Sequence, residues 1–368
     1  MNAGSPPSVG ARRLAALGIS PARGGGAAAI EDVVSTHLAL QAQDLGSGLW
    51  SVGVRTGASM EEAHRAIEDR LITRSWPMRG TLHLMATRDV RWMCRLLGGR
   101  SIGRTAARFA QLELSDDVVD RARDLLVATL VGGRGVTRAE AFVVLAAHGI
   151  APEGQRGIHL LGRFCQEGLL CQGPLVGRHP TFVLLDEWVP TSWDPGRDEA
   201  MATLAARYVA THGPVPVSDL AGWTGHILAF AREAVALAGD SIVEEVVGDA
   251  THLVHVDAPA PAARAGTHLL PGFDEFLLGY KDRSAMLTRE EELRVVPGRN
   301  GVFLPTVVVG GRVVGTWTRS TSASRVAITV TTWATATPSL RRAVERAGAA
   351  YGRFVGVPIQ LAFAGPTP

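Results

Sequence analysis

Two stretches in the middle of the chain repeat one order of hydrophobic and polar positions. Apolar residues first recur at helical spacing and then alternate as in paired strands. The first stretch predicts a helix over 116–130, a second helix that begins with a capping box of Thr137 and Glu140, a third over 155–170, and a hairpin over 171–188. The order helix, capped helix, helix, hairpin is typical of a winged-helix domain.

The same order returns further along the chain. It predicts a helix over 199–213, a short helix capped by Ser218, a helix over 227–239 and a hairpin over 241–256. The N-terminal part follows this plan less cleanly, with helical spacing over 27–43 and 58–70, and a hairpin over 71–86 whose turn lies at 76–80.

The pattern changes after the Pro259–Pro261 segment, where β-branched runs broken by Gly-rich turns predict a small β-barrel or sandwich. A helix over 337–354 would close it. We therefore predict an α+β protein with three tandem winged-helix domains and a C-terminal β-barrel. The predicted boundaries are 1–110, 111–190, 191–261 and 262–368.

Composition agrees with a globular protein of several domains. The 368 residues are 46% hydrophobic and 20% charged, and no apolar run approaches the roughly 18–20 residues of a membrane span. The first residues lack a secretory pattern, so we expect a cytoplasmic, nucleoid-associated protein. The three cysteines show no metal-ligand spacing and predict buried, reduced thiols.

The net charge of +2 conceals an uneven distribution. Residues 1–110 and 264–368 each carry +6, whereas 111–190 carry −3 and 191–263 carry −7. Basic ends can attract a polyanion even when the total charge is near zero. Ordinary variation of surface charge is the alternative interpretation.

Several longer strings resemble the AlkZ/YcaQ-type winged-helix DNA glycosylases over nearly the whole chain. They are LALQAQDLGSGLW (38–50), RSWPMRGTLHLM (74–85), LLDEWVP (184–190), LLPGFDEFLLGYKDR (269–283) and NGVFLPTVVVGGRVVGTW (300–317). The resemblance implies a C-shaped clamp on duplex DNA and removal of N-alkylated purines, including those in interstrand crosslinks. It also implies that Gln41 and Gln43 are catalytic, because Gln41-Ala42-Gln43 matches the family's Gln-aliphatic-Gln motif. Gln43 makes the chain closer to the AlkZ-like branch, whose members can protect antibiotic producers from their own alkylating toxins.

The glutamines can converge on one atom only if the helix has ended before them, because positions i and i+2 share a side only in extended backbone. Gly46 and Gly48 suggest such an end. Glutamines at a helix end also commonly bond only its free carbonyls. An N7-alkylated purine is already cationic, so an amide that orients a water could suffice for hydrolysis. We assign Gln43 to the water, and Gln41 to the water or the sugar.

Other residues are candidates for DNA contact or catalysis. Arg74 and Arg79 flank the first predicted wing turn, Arg88 begins a series of arginines at helical spacing, Lys281 and Arg283 lie in GYKDR, and Arg299 and Asn300 occupy a PGRNG turn. Exposed turns and solvated helix faces are the alternative for these positions. Asp44, Asp274 and Glu275 could act as bases, although structural hydrogen bonding is the simpler role for each.

We expect a monomeric, monofunctional hydrolase that requires no metal or organic cofactor and acts on double-stranded DNA. Its only lysine, Lys281, is expected to contact phosphate and to form no Schiff base. The rival hypothesis is a non-enzymatic winged-helix DNA-binding protein or transcriptional regulator. Against that hypothesis, the second and third units are acidic, whereas a sequence reader generally needs a basic recognition helix.

Overall fold

The structure, a computed structural model, describes residues 8–20, 22–262, 265–322 and 324–365. Helices and strands alternate along the chain, so the predicted mixed α+β class is confirmed. None of the helices in these four ranges has the length and apolar character needed to cross a bilayer.

The described residues of the first part form five α-helices and three strands. They are α1 (Val9–Ala16), α2 (Ile30–Thr36), β1 (Leu40–Gln41), α3 (Leu45–Thr56), α4 (Met60–Glu68), β2 (Ile72–Met78), β3 (Thr81–Ala86) and α5 (Val90–Gln111). The hairpin predicted over 71–86 is confirmed. Its turn lies at Arg79 and Gly80, whose φ values of 55° and 71° match the left-handed pair that tight hairpins favour.

The helix predicted over 27–43 is too long. It ends at Thr36, and Leu38 takes a left-handed φ of 65° before the chain becomes extended. The prediction that Gly46 and Gly48 mark the end of this helix is wrong, because both residues lie near the start of α3. Gly48 is required there by packing, since an added Cβ would lie 2.6 Å from the Cβ of Ala42.

The second part has the predicted order of elements, but the predicted hairpin over 171–188 is too long, because its last four residues form a short helix. The elements are α6 (Asp116–Leu130), β4 (Val136–Thr137), α7 (Arg138–Ala147), α8 (Arg156–Gln166), β5 (Leu170–Val176), β6 (His179–Leu184) and the short α9 (Leu185–Trp188). The capping box of Thr137 and Glu140 is confirmed, because each side chain bonds the backbone N–H of the other.

The third part repeats that order with α10 (Arg197–His212), α11 (Val217–Thr224), α12 (Leu228–Ala238), β7 (Ile242–Val247) and β8 (Ala250–His255). The prediction that Ser218 caps the short helix is wrong. The helix begins at Val217, two residues earlier than a Ser218 cap requires, and Pro216, with its extended backbone (φ −72°, ψ 153°), occupies the cap position. Ser218 therefore lies inside the first turn.

The hairpins of the first two parts join into one sheet of strand order β1-β3-β2-β5-β6-β4. The junction is a single register pair, Arg74 opposite Gln172. Trp76 and Leu82 of the first hairpin pack in the same hydrophobic cluster as α6, α7 and α8. The third hairpin forms a separate two-stranded sheet, which Val215 extends through a bridge to Leu253.

The C-terminal part contains β9 (Thr267–Leu270), α13 (Glu275–Leu278), α14 (Arg289–Val295), β10 (Thr306–Val309), β11 (Arg312–Thr321), β12 (Val326–Thr332), α15 (Pro338–Val355) and β13 (Ile359–Phe363). The strand order β13-β12-β11-β10-β9 is an open sheet, because no pairing among the described strands joins β9 to β13. The predicted barrel is therefore not closed. The sheet buries its apolar side chains against helices; the ring centroids of Trp317 and of Tyr351 in α15, for example, lie 5.3 Å apart. Because helices cover it, the sheet does not need to close on itself.

Candidate active site

The Gln-Ala-Gln segment lies in extended backbone at the edge of the six-stranded sheet. Gln41 pairs with His83 of β3, and the Ala42 N–H donates to the Leu82 carbonyl at 2.8 Å. The expectation that the helix ends before the glutamines is confirmed. The two side chains differ in exposure, since Gln41 is only 7% exposed whereas Gln43 is exposed.

The carboxamide of Gln43 has a defined orientation. Its Oε1 accepts a hydrogen bond from the Leu82 N–H at 3.1 Å, and an N–H can donate only to the oxygen of an amide. The second lone pair of Oε1 and the amide NH₂ of Gln43 remain available for other partners. Gln43 therefore presents one fixed acceptor and two donors at the end of the strand.

Gln43 lines a cavity of about 600 Å³ between the first hairpin and the second part of the chain. Trp76 and Phe182, whose rings stack 6.3 Å apart, line it as well. Gln41 does not belong to the described lining. The other polar side chains of the wall are Arg74, Thr105, Thr137, Arg138, His159, Arg163, Gln166, Gln172 and His179.

The described wall of this cavity contains arginines and no carboxylate. Arg138 is exposed, and Arg163 pairs with Glu167, which does not line the cavity. The positive charge of this wall therefore favours a partner whose net charge is negative.

Arg74 is buried, not exposed at a wing as the sequence suggested. Its Nε donates to the Ala42 carbonyl at 2.8 Å, its Nη2 to the Gln43 carbonyl at 2.9 Å, and its Nη1 to Oε1 of Gln172 at 3.1 Å. Burial lowers the pKa of Arg74 to about 10, opposed by the nearby Asp44 charge, so the guanidinium stays protonated at neutral pH. These bonds tie it to the motif backbone.

Arg79 lies beside His83, the strand partner of Gln41; His83 is buried and Arg79 is half-buried. The His83 Nδ1–H donates to the Thr81 carbonyl at 2.9 Å, and its Nε2 lies 3.4 Å from Nη2 of Arg79. Burial, with the Arg79 charge, lowers the pKa of His83 to about 3. Arg79 itself is mostly covered, and a Cβ added to Gly225 would lie 3.0 Å from its Cγ. The wing turn thus faces the third part of the chain.

The three candidate carboxylates have structural partners. Asp44 caps α3 by accepting from the Ser47 N–H at 2.7 Å; burial acts to raise its pKa, but the bonds from Ser47 hold it below its ordinary value. Asp274 pairs with Arg55, and Glu275 accepts from the Trp223 indole at 2.9 Å. Structural hydrogen bonding, the simpler role, is what the structure shows for all three.

The remaining candidates for DNA contact lie apart from Gln43. Arg88 pairs with Glu31 at 3.0 Å, and Arg283 pairs with Glu292 at 2.8 Å. Lys281 is exposed and lines a different cavity of about 800 Å³. The Oδ1 of Asn300 accepts from the Val302 N–H at 3.0 Å, and the side chain of Arg299 lies outside the described residues. Their roles in DNA binding stay predictions.

The arginine series on α5 has helical spacing, as predicted, but its members bind protein. Arg91 and Arg95 pair with Asp186 and Asp194. The Nε of Arg100 donates to the Gly225 carbonyl at 2.7 Å. These arginines attach the long helix to the two acidic parts of the chain.

Sequence reasoning missed Gln166 and Gln172. Each is at most 7% exposed and lines the cavity with Gln43. A glutamine within an otherwise apolar strand, as in LLCQGPL, was the available signal for Gln172. For metals, no group of three or more His, Cys, Asp or Glu within the described ranges could hold an ion.

Comparisons with known proteins agree with this architecture. A family model described as "DNA glycosylase AlkZ-like" matches residues 34–354. An "Interstrand DNA cross-link repair glycosylase" of Streptomyces sahachiroi is 27% identical over 301 residues, which cover 78% of this chain and 81% of that protein. The solved structure of Streptomyces sahachiroi DNA glycosylase AlkZ superposes with a TM-score of 0.79 at 25% identity, covering 96% of this chain and 98% of that one.

Fold and sequence together define an enzyme of the DNA glycosylase class. The chain belongs to the AlkZ-like DNA glycosylase family, and the resemblance read from its motifs is confirmed.

Proposed function

We propose that this chain is a monofunctional glycosylase that hydrolyses the N-glycosidic bond of cationic, N-alkylated purines in double-stranded DNA. The observation that carries the proposal is the exposed carboxamide of Gln43, fixed by Leu82 on the wall of an arginine-lined cavity. The similarity to a crosslink-repair glycosylase supports the same reaction class.

The chemistry asks little of the protein because alkylation has already activated the leaving group. Breaking the bond of a cationic purine releases a neutral base and leaves oxocarbenium-like charge on the deoxyribose. A water held on the opposite face of the sugar then completes hydrolysis. The free lone pair of Gln43 Oε1 can accept a hydrogen bond from that water, and positioning of this kind can lower a barrier by roughly 7–11 kcal/mol at most.

Gln41 is assigned to fix the water or the sugar, and its burial predicts the smaller contribution. Its carboxamide would have to act from the strand interior beside His83. We therefore expect Gln41→Ala to lower the rate less than Gln43→Ala does.

The repeated element order supports three winged-helix domains within 1–110, 111–190 and 191–261, followed by the C-terminal sheet domain over 262–368. A clamp of these units around the duplex, phosphate contacts by Lys281, Arg283, Arg299 and Asn300, and a monomeric state belong to the same proposal. The basic N- and C-terminal parts would then contact the DNA backbone.

Unhooking of interstrand crosslinks, and protection of a producer against its own alkylating toxin, extend the proposal. The first is supported by the similarity to the interstrand crosslink-repair glycosylase of Streptomyces sahachiroi. Assays with duplexes that carry either a monoadduct or a crosslink would test the lesion range, and the neighbouring genes would test the physiological role.

The decisive experiment measures release of 7-methylguanine from methylated duplex DNA under single-turnover conditions. Gln43→Ala should slow release by at least about 100-fold, because a misplaced or missing positioning group costs that much. Gln360→Ala is the matched control, since Gln360 is an exposed glutamine on strand β13 and lies on another sheet. Release by Gln43→Ala at the wild-type rate would refute the assignment.

Two further measurements separate the alternatives. A non-enzymatic DNA-binding protein would leave no alkali-labile abasic sites in methylated duplex. Borohydride trapping of a covalent protein–DNA adduct would refute the monofunctional mechanism. We expect no trapping, because Lys281 does not line the cavity that Gln43 lines.

A further inference from the structure

Strand β1 is very short, and its pairing stops inside the Gln-Ala-Gln motif. Regular pairing covers Leu40 and Gln41, and one more ladder bond runs from the Ala42 N–H to the Leu82 carbonyl. In a regular antiparallel ladder the Leu82 N–H would return to the Ala42 carbonyl. Here it donates to the side chain of Gln43 instead.

Arg74 makes this exchange possible. Its Nε donates to the Ala42 carbonyl at 2.8 Å, so this acceptor has a partner although the Leu82 N–H does not donate to it. Its Nη2 holds the Gln43 carbonyl at 2.9 Å. Two adjacent backbone carbonyls are thus bound by one planar, rigid guanidinium, which fixes the backbone that carries the Gln43 side chain.

Gln172 fixes the guanidinium in turn. It lies opposite Arg74 in the sheet, is 6% exposed, and accepts from Nη1 of Arg74 at 3.1 Å. No carboxylate among the described residues pairs with Arg74, so amide and carbonyl oxygens hold this cation. A buried cation held in this way has little freedom to reach a phosphate.

We propose that Arg74 is a positioning residue, which together with Gln172 holds Gln43 in the orientation that catalysis requires. This inference rests on the proposed function and replaces the DNA-contact role that the sequence suggested for Arg74. The second unit would thereby control the geometry of a catalytic group carried by the first.

The test compares Arg74→Lys with wild type in the steady-state kinetics of 7-methylguanine release and in hydrogen exchange of the Leu82 amide. Lysine keeps the charge but cannot bind three acceptors in one plane. We expect kcat to fall by about 100-fold while KM for DNA stays within about twofold. The Leu82 N–H should exchange about tenfold faster, because the bond to Gln43 is weakened.

A phosphate contact would give a different pattern. In that case KM would rise while kcat stayed constant, and the salt dependence of binding would be unchanged because lysine keeps the charge; this result overturns the proposal. Arg121→Lys is the matched control, since the Nη2 of Arg121 also donates to a backbone carbonyl, that of His148, at 3.1 Å, but on another surface.

Gln172→Leu covers the case in which Arg74→Lys fails to fold. It leaves both carbonyl bonds of Arg74 in place and should lower kcat by a smaller factor with KM unchanged; an unchanged kcat overturns the proposal. If wild type releases no methylguanine, the proposed function fails. Hydrogen exchange then still decides the positioning role, since an unchanged Leu82 rate in Arg74→Lys refutes it.

Discussion

Arg55 and Asp274 form a fully buried ion pair between the first part of the chain and the C-terminal part. The Nη1 and Nη2 atoms of Arg55 lie 2.9 and 3.1 Å from the two carboxylate oxygens. Ser51 and the Phe276 N–H also donate to Asp274. Burial acts to raise the pKa of Asp274, but the Arg55 guanidinium holds it below its ordinary value. The adjacent Glu275 bonds Trp223 and His212, so two neighbouring carboxylates connect three parts of the chain.

Removing one partner of this pair should destabilise the protein strongly. Asp274→Asn leaves the Arg55 charge buried without a counter-ion, and we expect the free energy of unfolding to fall by about 3–5 kcal/mol. Urea denaturation followed by tryptophan fluorescence measures the loss. Asp257→Asn is the control, because that carboxylate is 89% exposed and its change should stay within about 0.5 kcal/mol. Equal effects of the two substitutions would contradict the structural role of Asp274.

His83 should make stability depend on pH. Its folded pKa of about 3 lies below the unfolded value of about 6.5, so between these values only the unfolded chain takes up the proton. The stability contributed by neutral His83 is therefore complete above pH 6.5 and is lost as the pH falls toward 3.

Replacing His83 tests this dependence. His83→Asn should lose stability less steeply than wild type below pH 6.5, with a difference of at most about 1.4 kcal/mol per pH unit. Denaturation curves at about pH 7, 6, 5 and 4 give the slopes. The exposed His148 is the control, and His148→Asn should keep the wild-type slope. Parallel slopes for wild type and His83→Asn would disprove the assignment.

Gly48 packs against the Gln-Ala-Gln segment because it lacks a side chain. An alanine there would place its Cβ 2.6 Å from the Cβ of Ala42, and either β1 or α3 must move. We expect Gly48→Ala to cost about 1–3 kcal/mol of stability and to slow methylguanine release. At Gly46 the nearest atom to an added Cβ, Nη2 of Arg319, is 3.6 Å away, so Gly46→Ala should fold and act normally.

The three cysteines should resist chemical modification while the protein is folded. All are buried free thiols, and burial raises the pKa of Cys94 and of Cys171 to about 12. A thiol reacts as its thiolate, so a chromogenic thiol reagent at about pH 8 should label the native protein slowly and all three cysteines after denaturation. Fast labelling of Cys165 in the native protein would show that the hydrophobic cluster of α6, α7 and α8, in which Cys165 is buried, opens.

The sequence predicted the second and third units well because their signals are local. Helical periodicity, the capping box of Thr137 and the alternation of the hairpins each depend on residues a few positions apart. The break between α2 and β1 depends instead on β3, which lies more than forty residues away and pairs with Leu40 and Gln41. No local signal marks the left-handed turn at Leu38.

The candidate site was predicted only in its central residues. The motif located Gln43, but the position of Arg74 near a turn suggested exposure, because the sequence does not show that β5 pairs with that part of β2. The barrel was overestimated for a similar reason. β-Branched runs predict strands, but they do not show whether the sheet closes into a barrel. Closure depends on what covers the sheet, and here α15 covers it.

The single register pair between Arg74 and Gln172 has a consequence for anyone who dissects this chain. A fragment that ends after α5 would leave one side of β2 with unpaired backbone groups, which is a template for strand addition from other molecules. Such a fragment would also expose Trp76 and Leu82 to water. Expression of the fragment that ends after α5 should therefore yield aggregates, whereas a fragment that extends through α9 keeps this side of β2 covered.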